Sequence, residues 1–186
     1  MNFEFGGPGL RIVGLDIETE RKGSDWGDWG FKNFFCGDIR EDGRKGHAFS
    51  GFRPDDSKFG DWADELRRPN TLVVAHNAAF DLDGVNGELT RRGLEPLPPL
   101  LVSDTLKHGT KAGKMHYRTL ASLCDQYGVE AKGSISSADW DKAYAHDYDA
   151  LSLVKEYNVL DVVCVLALRR AMIDRGHLKA PKMWRP

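Results

Sequence analysis

The sequence predicts an α/β protein built on one mixed β-sheet with helices packed against it. Strand-like patterns come first, at residues 11–20, Phe34–Arg40 and His47–Phe52. Two short apolar runs, Thr71–Ala75 and Leu100–Val102, then alternate with helical patterns. Because strands joined by short turns pair antiparallel and strands separated by helices pair parallel, we expect an antiparallel meander of three strands plus two parallel strands.

The first predicted strand has the sequence RIVGLDIETE, residues 11–20. It begins apolar on both faces, as in a central strand that is covered on two sides. Asp16 and Glu18 stand at i and i+2 near its end, so their side chains point the same way. Two neighbouring carboxylates at a buried strand end repel each other and lose hydration, and a divalent cation would relieve both effects. From this strand alone, two solvated acids are an equally good interpretation.

Helices are predicted where apolar residues recur at helical spacing before a glycine or proline. These segments are Asp56–Arg68, Leu82–Arg92, Thr119–Tyr127 and Ala150–Arg175. Residues 129–137 receive no assignment, and residues 177–186 are expected to form a C-terminal tail. Since no repeat or composition break divides the chain, we expect a single domain over residues 1–186.

Composition narrows the class of protein. The hydrophobic fraction of 41% and charged fraction of 29% are typical of a soluble globular chain. No apolar run approaches the roughly 20 residues of a membrane span, and no secretory signal is recognisable, so we expect no membrane partner. Three cysteines without CxxC spacing are expected to be reduced core residues, which favours a cytoplasmic location, in a bacterium or a phage-infected host. The absence of an HExxH pair argues against zinc.

Charge is distributed unevenly although the net charge is only −2. One basic cluster contains no acid, and a second, at the C-terminus, contains only Asp174. The clusters are Lys107, Lys111, Lys114 and Arg118, and then Arg169, Arg170, Arg175, Lys179, Lys182 and Arg185. Either cluster could meet phosphate, but a solvated face is the commoner interpretation of each one alone.

Three aromatic residues, Trp26, Trp29 and Phe31, lie in the loop after the first strand. Packing into the core is favoured over stacking on an unpaired base, which is the functional alternative.

Further acids are expected near the end of the first strand. Asp81 follows the second buried strand, beside Asn77 and Phe80. Tyr157 and Asp161 lie four residues apart, which places them on one face of the long C-terminal helix. Acids at the ends of two parallel strands and on a covering helix can converge at one edge of the sheet.

With these motifs the chain resembles the DEDD superfamily of 3′–5′ exonucleases, which have a ribonuclease-H-like fold. The motifs are DIET at 16–19, NAAFD at 77–81 and YNVLD at 157–161. They occur in family order and at family-like separations, so the resemblance covers nearly the whole chain. Asp104-Thr105 and LASLCDQYGV resemble the segment between the second and third motifs. Asp104 itself is expected to support the site indirectly or to cap a helix.

The third motif resembles the tyrosine branch of this superfamily. The histidine branch has His five residues before the last Asp, where this chain has Glu156, whereas Tyr157 occupies the position of the branch tyrosine. The tyrosine branch includes ribonuclease D and the proofreading domains of family A and B DNA polymerases. No polymerase domain fits in 186 residues, so the resemblance implies a free-standing exonuclease, for which a polymerase or replication partner is conceivable.

The resemblance implies a mechanism with two divalent metal ions, Mg²⁺ or Mn²⁺. Asp16, Glu18 and Asp161 would hold the first ion, and Asp81 would support the second, to which Asp16 bridges. Tyr157 would orient the attacking water, since a phenol with a pKa of about 10 is a poor base.

The same resemblance suggests that Thr19, Asn77 and Phe80 contact the terminal nucleotide. The charge of the first basic cluster, which follows a strand end near the proposed site, separately suggests that Lys111 and Lys114 contact phosphate. The expected substrate is the 3′ end of single-stranded DNA, and the product a nucleoside 5′-monophosphate. A ribonuclease of the same fold is the alternative, and a non-catalytic binding module is disfavoured by the intact set of acids.

Overall fold

The computed structural model describes residues 9–19, 34–43, 56–109, 119–130 and 133–186. The strands are β1 (Arg11–Thr19), β2 (Phe34–Glu41), β3 (Thr71–Ala75), β4 (Leu100–Asp104) and β5 (Lys182–Trp184). The helices are α1 (Asp56–Arg67), α2 (Ala78–Arg91), α3 (Leu120–Tyr127), α4 (Ser137–Tyr144) and α5 (Tyr148–Asp174).

The strands form a mixed sheet in the order β2-β1-β3-β4-β5. β1 pairs antiparallel with β2 and parallel with β3, which in turn pairs parallel with β4. The predicted mixed α/β sheet is therefore confirmed. The expected third strand of the meander, His47–Phe52, lies outside the described residues.

The two faces of β1 pack against different helices, as its two-sided apolar start predicted. Val13, Leu15 and Ile17 lie in a core cluster with residues of α1 and α2. On the opposite face, Ile12 packs with Val162 and Leu166 of α5. Both faces of a central strand in an α/β sheet are buried in this way.

β1 extends beyond its parallel neighbour. Its pairing with β3 ends at Gly14 opposite Val74, whereas its pairing with β2 continues to Thr19. The last residues of β1 therefore project past the parallel part of the sheet, at the edge where β3 and β4 end.

Three features differ from the sequence expectations. α2 begins at Ala78 rather than Leu82, and α4 lies in a region without a predicted element. The expectation of a C-terminal tail is corrected, because residues 182–184 form β5, which pairs antiparallel with β4. Trp184 Nε1 also donates a hydrogen bond of 3.1 Å to Asp83 Oδ1. A three-residue strand is too short to show periodicity, so only the tertiary contacts define it.

Two composition-based expectations concern cysteines and membrane spans. All three cysteines are buried. None of the helices in the described ranges is long and apolar enough to cross a bilayer.

Candidate active site

A three-carboxylate cluster lies where β1 meets α5. Asp16 and Glu18 on β1 and Asp161 on α5 each offer an oxygen, and these atoms all lie within 4.8 Å of one another. Asp161 is only 6% exposed, so water screens its charge poorly. Carboxylate oxygens are the ligands that Mg²⁺ and Mn²⁺ prefer, and the donor set therefore fits either ion.

The cluster forms because α5 approaches β1 closely. Gly14, Asp16 and Glu18 occupy alternate positions and so share the face of β1 that meets α5. A Cβ atom on Gly14 would lie 2.9 Å from Leu166 Cγ, nearer than such atoms normally come. The glycine therefore allows a separation between helix and strand that brings Asp161 to the other two acids.

Asn158 is a site residue that sequence reasoning missed. It is 2% exposed, and its Nδ2 donates a hydrogen bond of 2.6 Å to Asp16 Oδ2. This bond orients the Asp16 carboxylate and partly offsets its charge. The available signal was the three-residue spacing to Asp161, which places both side chains on one helical face.

Asp81, the fourth expected ligand, is not a member of the cluster that the described residues form. It lies in the first turn of α2, is 2% exposed, and its Oδ1 accepts a hydrogen bond of 3.1 Å from the Ile17 backbone N–H. Burial raises the pKa of Asp81 well above its ordinary value; the Ile17 N–H opposes this rise and the charge of Glu18 adds to it. The Asp81 carboxylate thus accepts a hydrogen bond from the part of β1 that extends beyond β3.

A further buried acid lies on β2 next to the three-carboxylate cluster. Asp38 is paired opposite Asp16 and is 1% exposed. Burial raises the pKa of Asp38 to about 6, although Arg40 and Lys155 act in the opposite direction. Arg40 Nε lies 3.4 Å from Asp38 Oδ2, so this ion pair offsets the charge that Asp38 adds at this end of β1.

Asp104 supports the segment that carries the second motif. Its Oδ1 accepts hydrogen bonds from the backbone N–H groups of Asn77, Leu106 and Lys107, at 3.2, 2.9 and 2.9 Å. Its Oδ2 accepts from Ala78 N at 3.0 Å. Asp104 is thus bonded to the N-terminus of α2, a helix distant in sequence, where Asn77 adopts the left-handed conformation with φ of 71°.

Tyr157 lies beside an aromatic pair on α4. Its ring meets that of Trp140 edge to face, with centroids 6.5 Å apart, and Trp140 stacks on Tyr144 at 5.7 Å. Tyr144 Oη donates a hydrogen bond of 3.3 Å to the carbonyl of Thr19. Sequence reasoning missed these aromatics because it assigned no element there. The i, i+4 spacing of Trp140 and Tyr144 after the N-cap Ser136 was the available signal.

The remaining predicted residues are placed as follows. Phe80 is half-buried and packs against the core under α2. His76 Nδ1 lies 2.9 Å from Thr105 Oγ1. Outside the described residues lie Trp26, Trp29, Phe31, Lys111 and Lys114, whose proposed contacts stay predictions.

Comparisons with known proteins identify a fold. No family model and no curated protein matches the chain. A solved structure that matches is a family B DNA polymerase from the hyperthermophilic archaeon Pyrobaculum calidifontis, with a TM-score of 0.63 and 16% identity over 89% of this chain and 25% of the polymerase. A second is Escherichia coli RNase D, an exoribonuclease involved in structured RNA processing, with a TM-score of 0.44 and 15% identity over 91% of this chain and 46% of RNase D.

These likenesses bear on architecture only. The chain spans a quarter of the polymerase and less than half of RNase D. The first likeness supports the predicted ribonuclease-H-like arrangement of a mixed sheet flanked by helices.

Proposed function

We propose that this protein is a metal-dependent 3′–5′ exonuclease that hydrolyses the terminal phosphodiester bond of single-stranded DNA and releases nucleoside 5′-monophosphates. The observation that carries the proposal is the convergence of Asp16, Glu18 and Asp161 within 4.8 Å. A fold gains no stability from three clustered carboxylates, because they repel one another and lose hydration. Their grouping is explained if they hold divalent cations.

The roles proposed for the acids are those that the family resemblance implies. Asp16, Glu18 and Asp161 would hold one ion, and Asp16 would also face a second ion that Asp81 supports through water. When bound, such ions supply a nucleophilic hydroxide near neutral pH and stabilise the leaving alkoxide. Asp81 Oδ1 already bonds Ile17 N, so an indirect role suits this residue better than direct ligation.

Other residues would position water and substrate. Tyr157, four residues before Asp161 on α5, would hydrogen-bond the attacking water rather than remove its proton. Thr19 ends β1, Asn77 lies just after β3 and Phe80 lies in the first turn of α2, and the terminal nucleotide would bind there. Lys111 and Lys114 are further candidates for phosphate contacts.

The choice of DNA rests on the likeness in fold to part of a family B DNA polymerase. The order DIET, NAAFD and YNVLD resembles the tyrosine branch, which includes both ribonuclease D and proofreading domains of DNA polymerases, so the motifs alone leave the sugar open. RNA is the alternative, since discrimination of the 2′-hydroxyl depends on a few pocket contacts.

Digestion of end-labelled oligonucleotides tests the proposal. Single- and double-stranded DNA and RNA are incubated with Mg²⁺, Mn²⁺ or EDTA, beside Asp16→Asn and the exposed-acid control Asp125→Asn. We expect stepwise shortening from the 3′ end of single-stranded DNA that requires metal and is lost in Asp16→Asn only. Faster digestion of RNA would change the substrate; near wild-type cleavage by folded Asp16→Asn would remove the acid cluster from the reaction.

Thermal melting tests metal binding without reference to activity. Metal binds the folded acid cluster better than the unfolded chain, so Mg²⁺ or Mn²⁺ should raise the melting temperature of the wild type. Asp16→Asn relieves repulsion and should melt no lower than wild type in EDTA, but it should lose most of the metal-induced rise. A wild type that does not respond to metal, with Asp16→Asn clearly destabilised in EDTA, would show that these carboxylates serve the fold.

A further inference from the structure

The fold separates the C-terminal basic cluster into two groups. Its arginines at 169, 170 and 175 already have partners within the protein. These contacts are Arg169 Nε to Ser103 Oγ at 3.3 Å, Arg170 to Asp42 at 3.2 Å, and the Arg175 guanidinium 4.9 Å from the Tyr127 ring centroid. Lys179 and Lys182 are exposed, like Arg170 and Arg175, but neither lysine forms an ion pair with another described residue.

These two lysines lie beside a residue of the first basic cluster. The Lys179 backbone N–H donates a hydrogen bond of 2.9 Å to the carbonyl of His108, and Lys182 is paired opposite Val102 on β4. Lys107, which is exposed, directly precedes His108. Residues that are more than 70 positions apart in sequence thus meet at one place, which we call the lysine edge: Lys107, Lys179 and Lys182.

The lysine edge acts as one positive region. Burial lowers the pKa of His108; the charge of Asp104 opposes this, and the charges of all three lysines lower the pKa further. Within the described part of the chain, no acid forms an ion pair with any of the three lysines.

The lysine edge and the acid cluster lie at the same end of the sheet. Lys107 follows the carboxyl end of β4, and Lys182 begins the antiparallel strand β5 at that end. In the order β1-β3-β4-β5, strands about 4.8 Å apart place β5 roughly 14 Å from β1 across the sheet. Lys182 is level with Val13, three residues before Asp16, which adds roughly 10 Å along the strand direction. Lys182 shares the face of Val102, which packs with α2, whereas Asp16 faces α5, so a bound strand would pass around the end of the sheet. A stacked strand that rises about 3.4 Å per nucleotide spans this separation with roughly five or more nucleotides.

We propose that the lysine edge binds the sugar–phosphate backbone of single-stranded nucleic acid, a few nucleotides 5′ of the end held at the acid cluster. This inference rests on the proposed function, which supplies the position of the 3′ end. Lysine ammonium groups are point charges that bind phosphate without reading bases, so the contact is independent of sequence. The positive edge also holds a polyanion that the acid cluster itself repels.

The test removes the three charges and compares substrates of two lengths. The variant is Lys107→Gln/Lys179→Gln/Lys182→Gln, measured with a dinucleotide and with 12-residue DNA and RNA strands. The matched control is Arg68→Gln/Arg91→Gln/Arg170→Gln. It removes the same net charge from side chains that are 57%, 51% and 57% exposed at the opposite end of the sheet. Circular dichroism and melting temperature confirm that both variants are folded.

Wild type should have a lower KM for the 12-residue strand than for the dinucleotide. In the lysine variant the ratio of the dinucleotide KM to the 12-residue KM should be smaller by about tenfold or more. The slope of log KM against log salt should fall by about 2, since each lost single-strand phosphate contact removes about 0.7. The arginine control should keep both the preference and the slope. A lysine variant that behaves like the control would overturn the proposal.

Binding in EDTA separates this inference from the proposed activity. Fluorescence anisotropy with a labelled 12-residue strand reports affinity without cleavage. If wild type binds the strand through these lysines but cleaves nothing, the exonuclease proposal fails and the lysine edge stands. If wild type cleaves the strand while the lysine variant binds it equally well, the lysine edge fails and the exonuclease proposal stands. A DNA-only or RNA-only effect identifies the sugar of the bound strand.

Discussion

Gly14 on β1 lies directly beneath Val162 on α5, so that a Cβ atom on Gly14 would be 2.7 Å from Val162 Cγ1. Val162 is the residue after Asp161, and Gly14 is two residues before Asp16. The space that one missing side chain leaves therefore sets the separation between the strand and the helix that together carry the three acids.

Gly14→Ala should accordingly weaken metal binding and activity. The added methyl group moves α5 outward, because overpacking a buried contact displaces backbone and typically destabilises by about 1–3 kcal/mol. We expect a lower melting temperature and a higher metal concentration for half-maximal stabilisation. Gly60→Ala is the control, since its nearest contact would be an ordinary 3.9 Å to Leu94. Adding Val162→Ala to Gly14→Ala should restore part of the loss. A Gly14→Ala variant with the metal response and turnover of wild type would contradict the account.

Removing the amide of Asn158 should impair the site without dismantling it. Asn158→Ala loses the 2.6 Å hydrogen bond to Asp16 Oδ2, and partners that orient metal ligands are commonly worth about 10–100-fold in affinity or activity. Asn158→Asp keeps the shape but places a negative charge against Asp16, so it should be the more damaging change. The measurements are turnover and the metal-induced shift of melting temperature. Equal metal affinity in all three proteins would mean that Asn158 only fills space.

Replacing Asp104 should loosen the start of α2. Asp104→Asn cannot accept all four backbone N–H groups, because one of its two side-chain polar atoms is a donor. We expect lower stability and faster amide exchange at Asn77 and Ala78, together with slower turnover. Asp125→Asn, an exposed acid on α3, serves as the control. If exchange at these two amides is unchanged, Asp104 does not hold the segment.

Tyr157→Phe should reduce cleavage but not substrate affinity. If the hydroxyl only orients water, the loss in kcat should be partial, about 10- to 1,000-fold, and smaller than that caused by Asp16→Asn. The ring contact with Trp140, at 6.5 Å between centroids, is retained in this variant and keeps the fold comparable. Single-turnover rates and binding in EDTA separate the two effects. Wild-type turnover would exclude the hydroxyl from the reaction.

Glu88, at the far end of α2, should make stability depend on pH. Burial alone would raise its pKa, but hydrogen bonds from Arg91 and Arg92 outweigh this, and the pKa is lowered. A lowered carboxyl pKa stabilises the folded state above the ordinary glutamate pKa of about 4.3, and that stabilisation is lost as the pH falls through the folded pKa. Glu88→Gln should therefore melt lower than wild type at pH 7, and the difference should shrink below about pH 4.3.

The control for Glu88 is Glu95→Gln, a change at an exposed glutamate. Melting is followed in EDTA at several pH values, so that metal binding does not contribute. A difference between wild type and Glu88→Gln that stays constant with pH would show that packing rather than charge is responsible.

The sequence by itself determined the parts of this protein that depend on local patterns. Alternation in β1 predicted a strand buried on both faces, and helical spacing predicted α1 and most of α5. These periodicities are visible because side chains i, i+2 or i, i+4 share a face whatever the rest of the chain does. The three motifs predicted that Asp16, Glu18, Asp81 and Asp161 would meet, and all of these except Asp81 lie in the cluster.

The tertiary structure decided the long-range relationships. Asn158 donates a hydrogen bond to Asp16, which is 142 residues away in sequence. The Lys179 N–H donates to the His108 carbonyl, and no local pattern predicts either pair. Asp161 joins Asp16 and Glu18, whereas Asp81 instead bonds the backbone of β1. Such distances depend on how closely helices pack on the sheet. The close packing at Gly14 depends on residues of both β1 and α5, so it cannot be predicted from either segment alone.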